Sequence, residues 1–469
     1  MKKNTAKNQR ITKKQKRILF IALPIALICV ALAIIFIPNW GGGGGPQPDR
    51  ITLTYANWNL GANWDNPLEL RMLQSFTDTH PHITVEIDNS IAGHWMTSIS
   101  AAAHENRMPD VFMVDDLSVK ASSGWLLDIS VLARTDIDFL GLPPLVQGAT
   151  MIDDIVYALP FSQNIQGYFV NRDLFRLMGM APPEFGIQAA DFIGAVRNST
   201  NLNHPSIGLN HAFSFIDWYP GAVNDRMGYF ASDGTGFALN SPEMLEAVRL
   251  AAEIHRDGYA FYSIPSGLAR EHFPSGYDLG AFRDGQMAMF YGETAEFMDV
   301  MLNQVPFEWD FIGVPGGRAI ITLDIMGISA NTNHPEEAYL LASWMGHGTE
   351  GNLRRLQYAQ EMGITIGDMP VTQNRRVLDA LWQKIPAPSL MEVYDSMDRA
   401  LIDGLRITPG FLQARRTAPT GVAIPGTHHT NAGVEPIMYH SILGDIYFPN
   451  YSAIVEAVAR QALEEARGR

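Results

Sequence analysis

Paired acids, paired histidines and aromatic residues beside amides or carboxylates are the groups through which this chain could do chemistry. Asp115 with Asp116, or Asp153 with Asp154, would suit glycoside hydrolysis if two carboxylates flanked one bond. Neighbours in a strand point to opposite faces, so neither pair can do that by itself. His80 with His82 and His428 with His429 are possible metal ligands, but neither pair has the helix spacing or carboxylate of an H-E-x-x-H site. No G-x-S-x-G elbow occurs, and Gly41 to Gly45 has no strand before it, as a phosphate loop would. The reading is therefore of no catalytic residues, no metal and no cofactor, which leaves noncovalent recognition.

The elements that would position such a site read as alternating α/β. Ile51 to Tyr55 is a strand that ends at Asn57, Trp58 and Asn59, and Asp65, Asn66 and Pro67 form a helix start. Leu68, Met72, Leu73 and Phe76 share one helical face. Ile83 to Ile87 is a second strand, Trp95 to Glu105 a second helix, and Val111 to Val114 an apolar strand stopping at Asp115 and Asp116. This order predicts a parallel sheet covered by helices, with ligands gathering beyond the carboxyl ends of its strands. That places Trp58, Asn59, Asp115 and Asp116 at a site, although Asp116 also suits a helix cap. Further on, Ser241 and Pro242 start a helix that Gly258 stops, and an apolar strand ends at Tyr291, Gly292 and Glu293. Pro335 opens a helix that buries Ala338, Leu341 and Met345, and Ser452 to Ala466 is a closing amphipathic helix.

Ahead of this body, Met1 to Arg17 holds eight Lys or Arg and no acid, and Ile18 to Ile37 is twenty residues without a charge. That is about the length a helix needs to cross a bilayer, and the basic arm would stay cytoplasmic while the rest is exported. No small-x-small cleavage pattern follows, and Cys29, the only cysteine, lacks the surroundings of a lipid-anchor signal. The expectation is an uncleaved anchor at 18–37, with a Gly/Pro linker at 38–50 tethering the body to the outer face of the cytoplasmic membrane. With the eight N-terminal cations set aside, the formal charge of −15 becomes −23 for residues 18–469, which excludes a nucleic-acid partner. About 420 exported residues exceed one compact core and suggest two domains.

Several stretches resemble the solute-binding proteins of bacterial carbohydrate ABC importers: Met108-Pro109-Asp110-Val111, Ile155 to Pro160, Tyr168 to Phe175, Phe282 to Met289, Gly327 to Asn331, and His334 to Ala338. In order and spacing they cover roughly residues 50 to 370, whereas Pro386 to His429 matches nothing in the family pattern. The resemblance implies a two-lobed, periplasmic-binding-protein-like α/β fold, preceded here by the transmembrane helix, with lobes closing by hinge motion and docking on a permease. By analogy the chain would cross between lobes near Gln163, Gly316 and Thr372. That gives lobe 1 as 51–163 with 317–372 and lobe 2 as 164–316 with 373–469.

The ligand the resemblance implies is a mono- or oligosaccharide, whose C–H faces and hydroxyl rim call for aromatic platforms beside Asp, Asn, Gln and Arg. The candidates are Trp58, Asn59, Asp115, Asp116, Gln163, Asn164, Trp218, Tyr219, Tyr291, Gly292, Glu293 and Asp324. Trp218 and Tyr219 fit a core equally well, and Trp344 lies in an apolar helical register. The alternatives are a secreted carbohydrate-active enzyme and a ligand-sensing subunit of a membrane receptor.

Overall fold

The computed structural model describes residues 50–60, 66–91, 94–232 and 236–467. The amino-terminal half runs β1 (Ile51–Ala56), α1 (Pro67–Thr79), β2 (Ile83–Ile87), α2 (Trp95–His104), β3 (Val111–Val114), α3 (Leu117–Ser122) and then β4 (Ala158–Asn171). Helix α1 begins as expected, with Asn66 accepting from the Leu68 and Glu69 amides and Pro67 in the first turn. After β4 come α4 (Ala189–Asn198), β5 (Ile207–Leu209), α5 (Phe215–Val223), α6 (Pro242–Arg256), β6 (Met287–Glu293), α7 (Thr294–Asn303), β7 (Trp309–Phe311) and β8 (Ile320–Ile328). The remainder is largely helical: α8 (Pro335–Met345), α9 (Thr349–Met362), α10 (Pro388–Asp395), the two-residue β9 (Leu401–Ile402), α11 (Val434–Leu443) and α12 (Ser452–Arg467).

One sheet joins these parts in the order β2-β1-β3-β8-β4-β6-β5, with β9 beside β8 and β7 beside β4. Strand β1 pairs in parallel with β2 and β3, as the alternation of strands and helices predicts. The sheet is mixed rather than parallel throughout, because β8 returns antiparallel against both β3 and β4, and β6 lies antiparallel to β4. Strand β4 has 14 residues, and its ladder with β8 slips between Asp324 and Ile325, where Ser162 faces Asp324 but Pro160 faces Ile325. Phe161 is the extra residue of that bulge, which bends the ladder midway along its length.

The motifs that carry the family resemblance work as fasteners. The Asp110 carboxylate accepts from the Thr54 amide and hydroxyl at 2.8 Å and from Thr332 Oγ1 at 2.6 Å, tying β1 to the segment after β8. Asn171 caps the short helix Arg172–Leu177 through the Leu174 amide and donates weakly to Gly285 O, so the Tyr168 and Phe282 motifs meet. Asp153 (φ 50°) and Asp154 (φ 63°) form the two-residue turn of a small hairpin, a role for which Asp suits the left-handed backbone. The carboxyl-terminal segment is fastened by Arg415, which pairs with Asp217 at 2.9 Å and Glu435 at 3.1 Å and donates to Tyr229 Oη at 2.6 Å. Burial outweighs Arg415 at Asp217 and pushes its carboxyl up to about 6.

A second buried knot locks α8 and α9 to the turn before the helix Ile137–Leu140. Asp136 accepts from Tyr339 Oη at 2.9 Å and lies 2.8 Å from Nε2 of the fully buried His347. Burial by itself would raise the Asp136 carboxyl, but the hydrogen bond and charge of His347, with the Tyr339 hydroxyl, hold it down to about 2. Because the folded value lies below the unfolded one, this stability is present above about pH 4 and is lost as pH falls through about 2. Asp136→Asn should cost about 2 kcal/mol in urea unfolding at pH 7, with the deficit shrinking as pH drops from 4 toward 2. An equal deficit at every pH would show that the carboxylate charge is not what matters.

Candidate functional site

Period-two alternation puts one polar stripe on a single face of the ladder at its bend. Along β4 the residues sharing that face are Ser162, Asn164 and Gln166; on β8 they are Thr322 and Asp324; on β6 they are Tyr291 and Glu293. Their side chains bond to one another across the strands. Tyr291 Oη donates to Gln166 Oε1 at 3.0 Å, and Gln166 Nε2 donates to Thr322 Oγ1 at 3.1 Å. Asn164 donates to Glu293 through Nδ2 and accepts the Ala295 amide at 3.0 Å through Oδ1. Ser162 Oγ donates weakly to Asp324 at 3.4 Å. Most of the stripe is half-buried, so its groups are held in place yet within reach of solvent.

A turn that follows β9 supplies what the stripe lacks, a cation. Arg406 pairs with Asp324, donates to Leu323 O at 3.2 Å, and lays its guanidinium over the ring of Trp58 at 4.7 Å from the centroid. Its own carbonyl accepts the Leu117 amide at 2.9 Å, so it is fixed to the start of α3 as well. Asp403, buried two residues beyond the β9 strand pair's first member, caps the same turn through the Leu405 amide and accepts from Thr322 Oγ1 at 3.4 Å. Trp58 is partly buried and stands edge-on to Trp95 at 5.5 Å. Burial raises the Glu293 carboxyl against the opposing bond from Asn164, and burial likewise raises Asp403.

The sequence candidates separate into groups by this geometry. Trp58, Asn164, Tyr291, Glu293 and Asp324 belong to the stripe or its rim, and Asn59 lies beside Trp58 with its amide held by Asn57 Oδ1 at 2.8 Å. Gln163, adjacent to Asn164, faces the other way and is fully buried; its Nε2 donates to Pro370 O at 2.8 Å. Gly292 also faces away, and a Cβ there would lie 2.5 Å from the Phe297 ring, so its role is packing. Asp116 is the N-cap of α3, accepting the Val119 amide at 3.0 Å. The Asp115 carboxylate is buried and paired at 2.6 Å with Lys120, itself 2% exposed.

Trp218 is core: it has no exposed surface, and Nε1 donates to Tyr168 Oη at 3.0 Å. Tyr219 follows it on α5, half-buried with its ring 5.8 Å from that of Trp218. Trp344 packs on α1 and donates to Met72 O. Sequence reasoning missed Arg406, Asp403, Gln166 and Thr322. The last two could have been found by counting alternate residues from Asn164 and Asp324, whereas β9 is too short to show any period. A roomier surface cavity of about 770 Å³ between α6 and Ser441–Pro449 lies outside this stripe.

The family model of bacterial extracellular solute-binding proteins matches residues 71–385. Among curated proteins none matches the chain in sequence. Among solved structures, an ABC substrate-binding protein of Listeria monocytogenes in complex with cycloalternan superposes with TM-score 0.63 at 19% identity, covering 90% of this chain and 100% of its own. The sugar-binding protein MalE of Xanthomonas citri gives 0.66 at 13%, covering 89% and 98%. A sugar transporter protein of Rhizobium etli in an open conformation gives 0.64 at 15%, covering 88% and 99%. At these identities the likeness establishes a two-lobed α/β fold with a mixed sheet.

The buried Lys120–Asp115 pair at the rim yields a stability test. Lys120→Met leaves the Asp115 carboxylate buried without its cation and should cost about 3–5 kcal/mol in urea unfolding. Adding Asp115→Asn should recover most of that loss. A single variant as stable as the wild type would mean that the pair is solvated.

Proposed function

The chain belongs to the bacterial extracellular solute-binding proteins, and from that premise we propose that it captures a carbohydrate between its lobes and delivers it to an ABC-type importer. One observation carries the reading. The polar stripe of Asn164, Gln166, Thr322, Asp324, Tyr291 and Glu293 lies where β4 and β8 bend, with the half-buried ring of Trp58 beside it. Amide, hydroxyl and carboxylate groups match sugar hydroxyls, and an indole face matches a pyranose C–H face. The ligand closes the lobes by binding the closed form more tightly than the open one, which is what lets docking report occupancy. The cycloalternan bound by the superposed Listeria protein supports this reading. Nine tryptophans make the titration direct: cycloalternan, maltotriose or xylo-oligosaccharides should change intrinsic fluorescence saturably, and Trp58→Ala should weaken binding at least about tenfold while the fold persists. No saturable change with any of these sugars would count against a carbohydrate ligand.

The hinge crossings belong to the same proposal. The first is near Gln163 in β4, the second near Gly316 ahead of β8, and the third near Thr372. In support, Gln163 and Met369 exchange backbone hydrogen bonds of 2.9 and 2.8 Å, so the third pass lies against the first.

The family places the body outside the cytoplasm, and we read residues 18–37 as its uncleaved membrane anchor. That segment lies outside the described residues, and among the described residues no helix is long and apolar enough to cross a membrane. The expected result is a full-length chain in the membrane fraction whose body is open to added protease in intact cells. A mature protein beginning near Gly41 would overturn the anchor.

A further inference from the structure

We propose that Arg406 is an internal occupant of the sugar site, resting on the Trp58 platform until a ligand ring displaces it. This deepens the carbohydrate reading and rests on it for the identity of the displacing group. The guanidinium lies over the indole at 4.7 Å, and Trp95 abuts the same indole edge-on at 5.5 Å, so Trp58 already has two partners before any ligand arrives. The same guanidinium occupies Asp324, the one carboxylate on the β8 part of the stripe.

A pyranose stacking on Trp58 therefore takes the place of the guanidinium, and its hydroxyls inherit Asp324 as an acceptor. Arg406 does not leave the cleft, because its backbone is held by the Leu117 amide and its charge stays near Asp115 and Glu293. Neutral rings with hydroxyl donors are favoured by this exchange. Anionic sugars are not, since the stripe itself presents the carboxylates Asp324 and Glu293.

Two measurements separate the proposal from the functional reading it rests on. In the ligand-free protein, Arg406→Ala and Arg406→Gln should make tryptophan fluorescence more open to acrylamide quenching, and the increment should vanish in a Trp58→Phe background. For whichever neutral sugar of the panel above binds the wild type, both Arg406 variants should bind it about two- to fivefold more tightly, the worth of an exposed cation–π contact. Unchanged quenching overturns the proposal. Weaker sugar binding by variants that remain folded in circular dichroism also overturns it, and makes Arg406 a direct ligand contact. If no sugar binds the wild type, the carbohydrate reading fails, and the quenching arm still decides whether Arg406 covers Trp58.

Discussion

The antiparallel pairing of β4 with β8 is shared by both halves of the molecule, and every other arrangement in it follows from that ladder. Eight residue pairs run from Ile320 opposite Gln166 to Gly327 opposite Ala158, interrupted by the slip at Asp324. Strands β3, β1 and β2 extend the sheet on one side, and β6 and β5 on the other. A continuous ladder leaves few backbone groups unpaired, so two helical layers can be built around it without a solvated loop between them. The bulge at Phe161 is the place where this continuity is weakest, and on one side of it stand the polar Ser162 and Asp324.

Alternation then sorts those residues. Asn164 and Gln166 face the stripe, while Gln163 and Ile165, which alternate with them, face the opposite side and are buried. Gln163 spends its side chain on Pro370, whose carbonyl also accepts Tyr394 Oη at 3.0 Å, so the covered face of the bend is bonded to the third pass of the chain. The open face carries groups bonded to one another and still within reach of solvent, whereas the covered face is bonded to the backbone at Pro370.

How much of this the sequence disclosed depends on the length over which each signal repeats. The strands Ile51–Ala56, Ile83–Ile87 and Val111–Val114, and the helices begun by Asn66, Ser241 and Pro335, announce themselves by apolar runs bounded by caps, and the structure places them within a residue or two. The family motifs act as fasteners here: Asp110, Asn171 and the turn at Gly285 make bonds that tie separate segments of the chain together. The site was only half readable. Trp58, Asn164 and Asp324 were reachable from strand ends, but adjacency misled at Gln163 and Trp218, whose neighbours in space rather than in sequence decide which way they point. Arg406 follows a strand of two residues, where no period can be counted.

A cleft lined by carboxylates in an acidic body faces an electrostatic difficulty, since like charges brought together out of water disfavour one another. The structure answers it by internal neutralisation: Lys120 with Asp115, Arg406 with Asp324, and Asn164 donating to Glu293. These solutions differ in how reversible they are. Lys120 is almost wholly buried, so its pairing with Asp115 is part of the fold, and removing either member would strand the other. Arg406 keeps 30% of its side chain exposed against 3% for Lys120, so its pairing lies nearer to solvent, although burial is still the largest influence on its guanidinium. Burial thus separates the cation that is fixed in the fold from the one on which the proposed exchange turns.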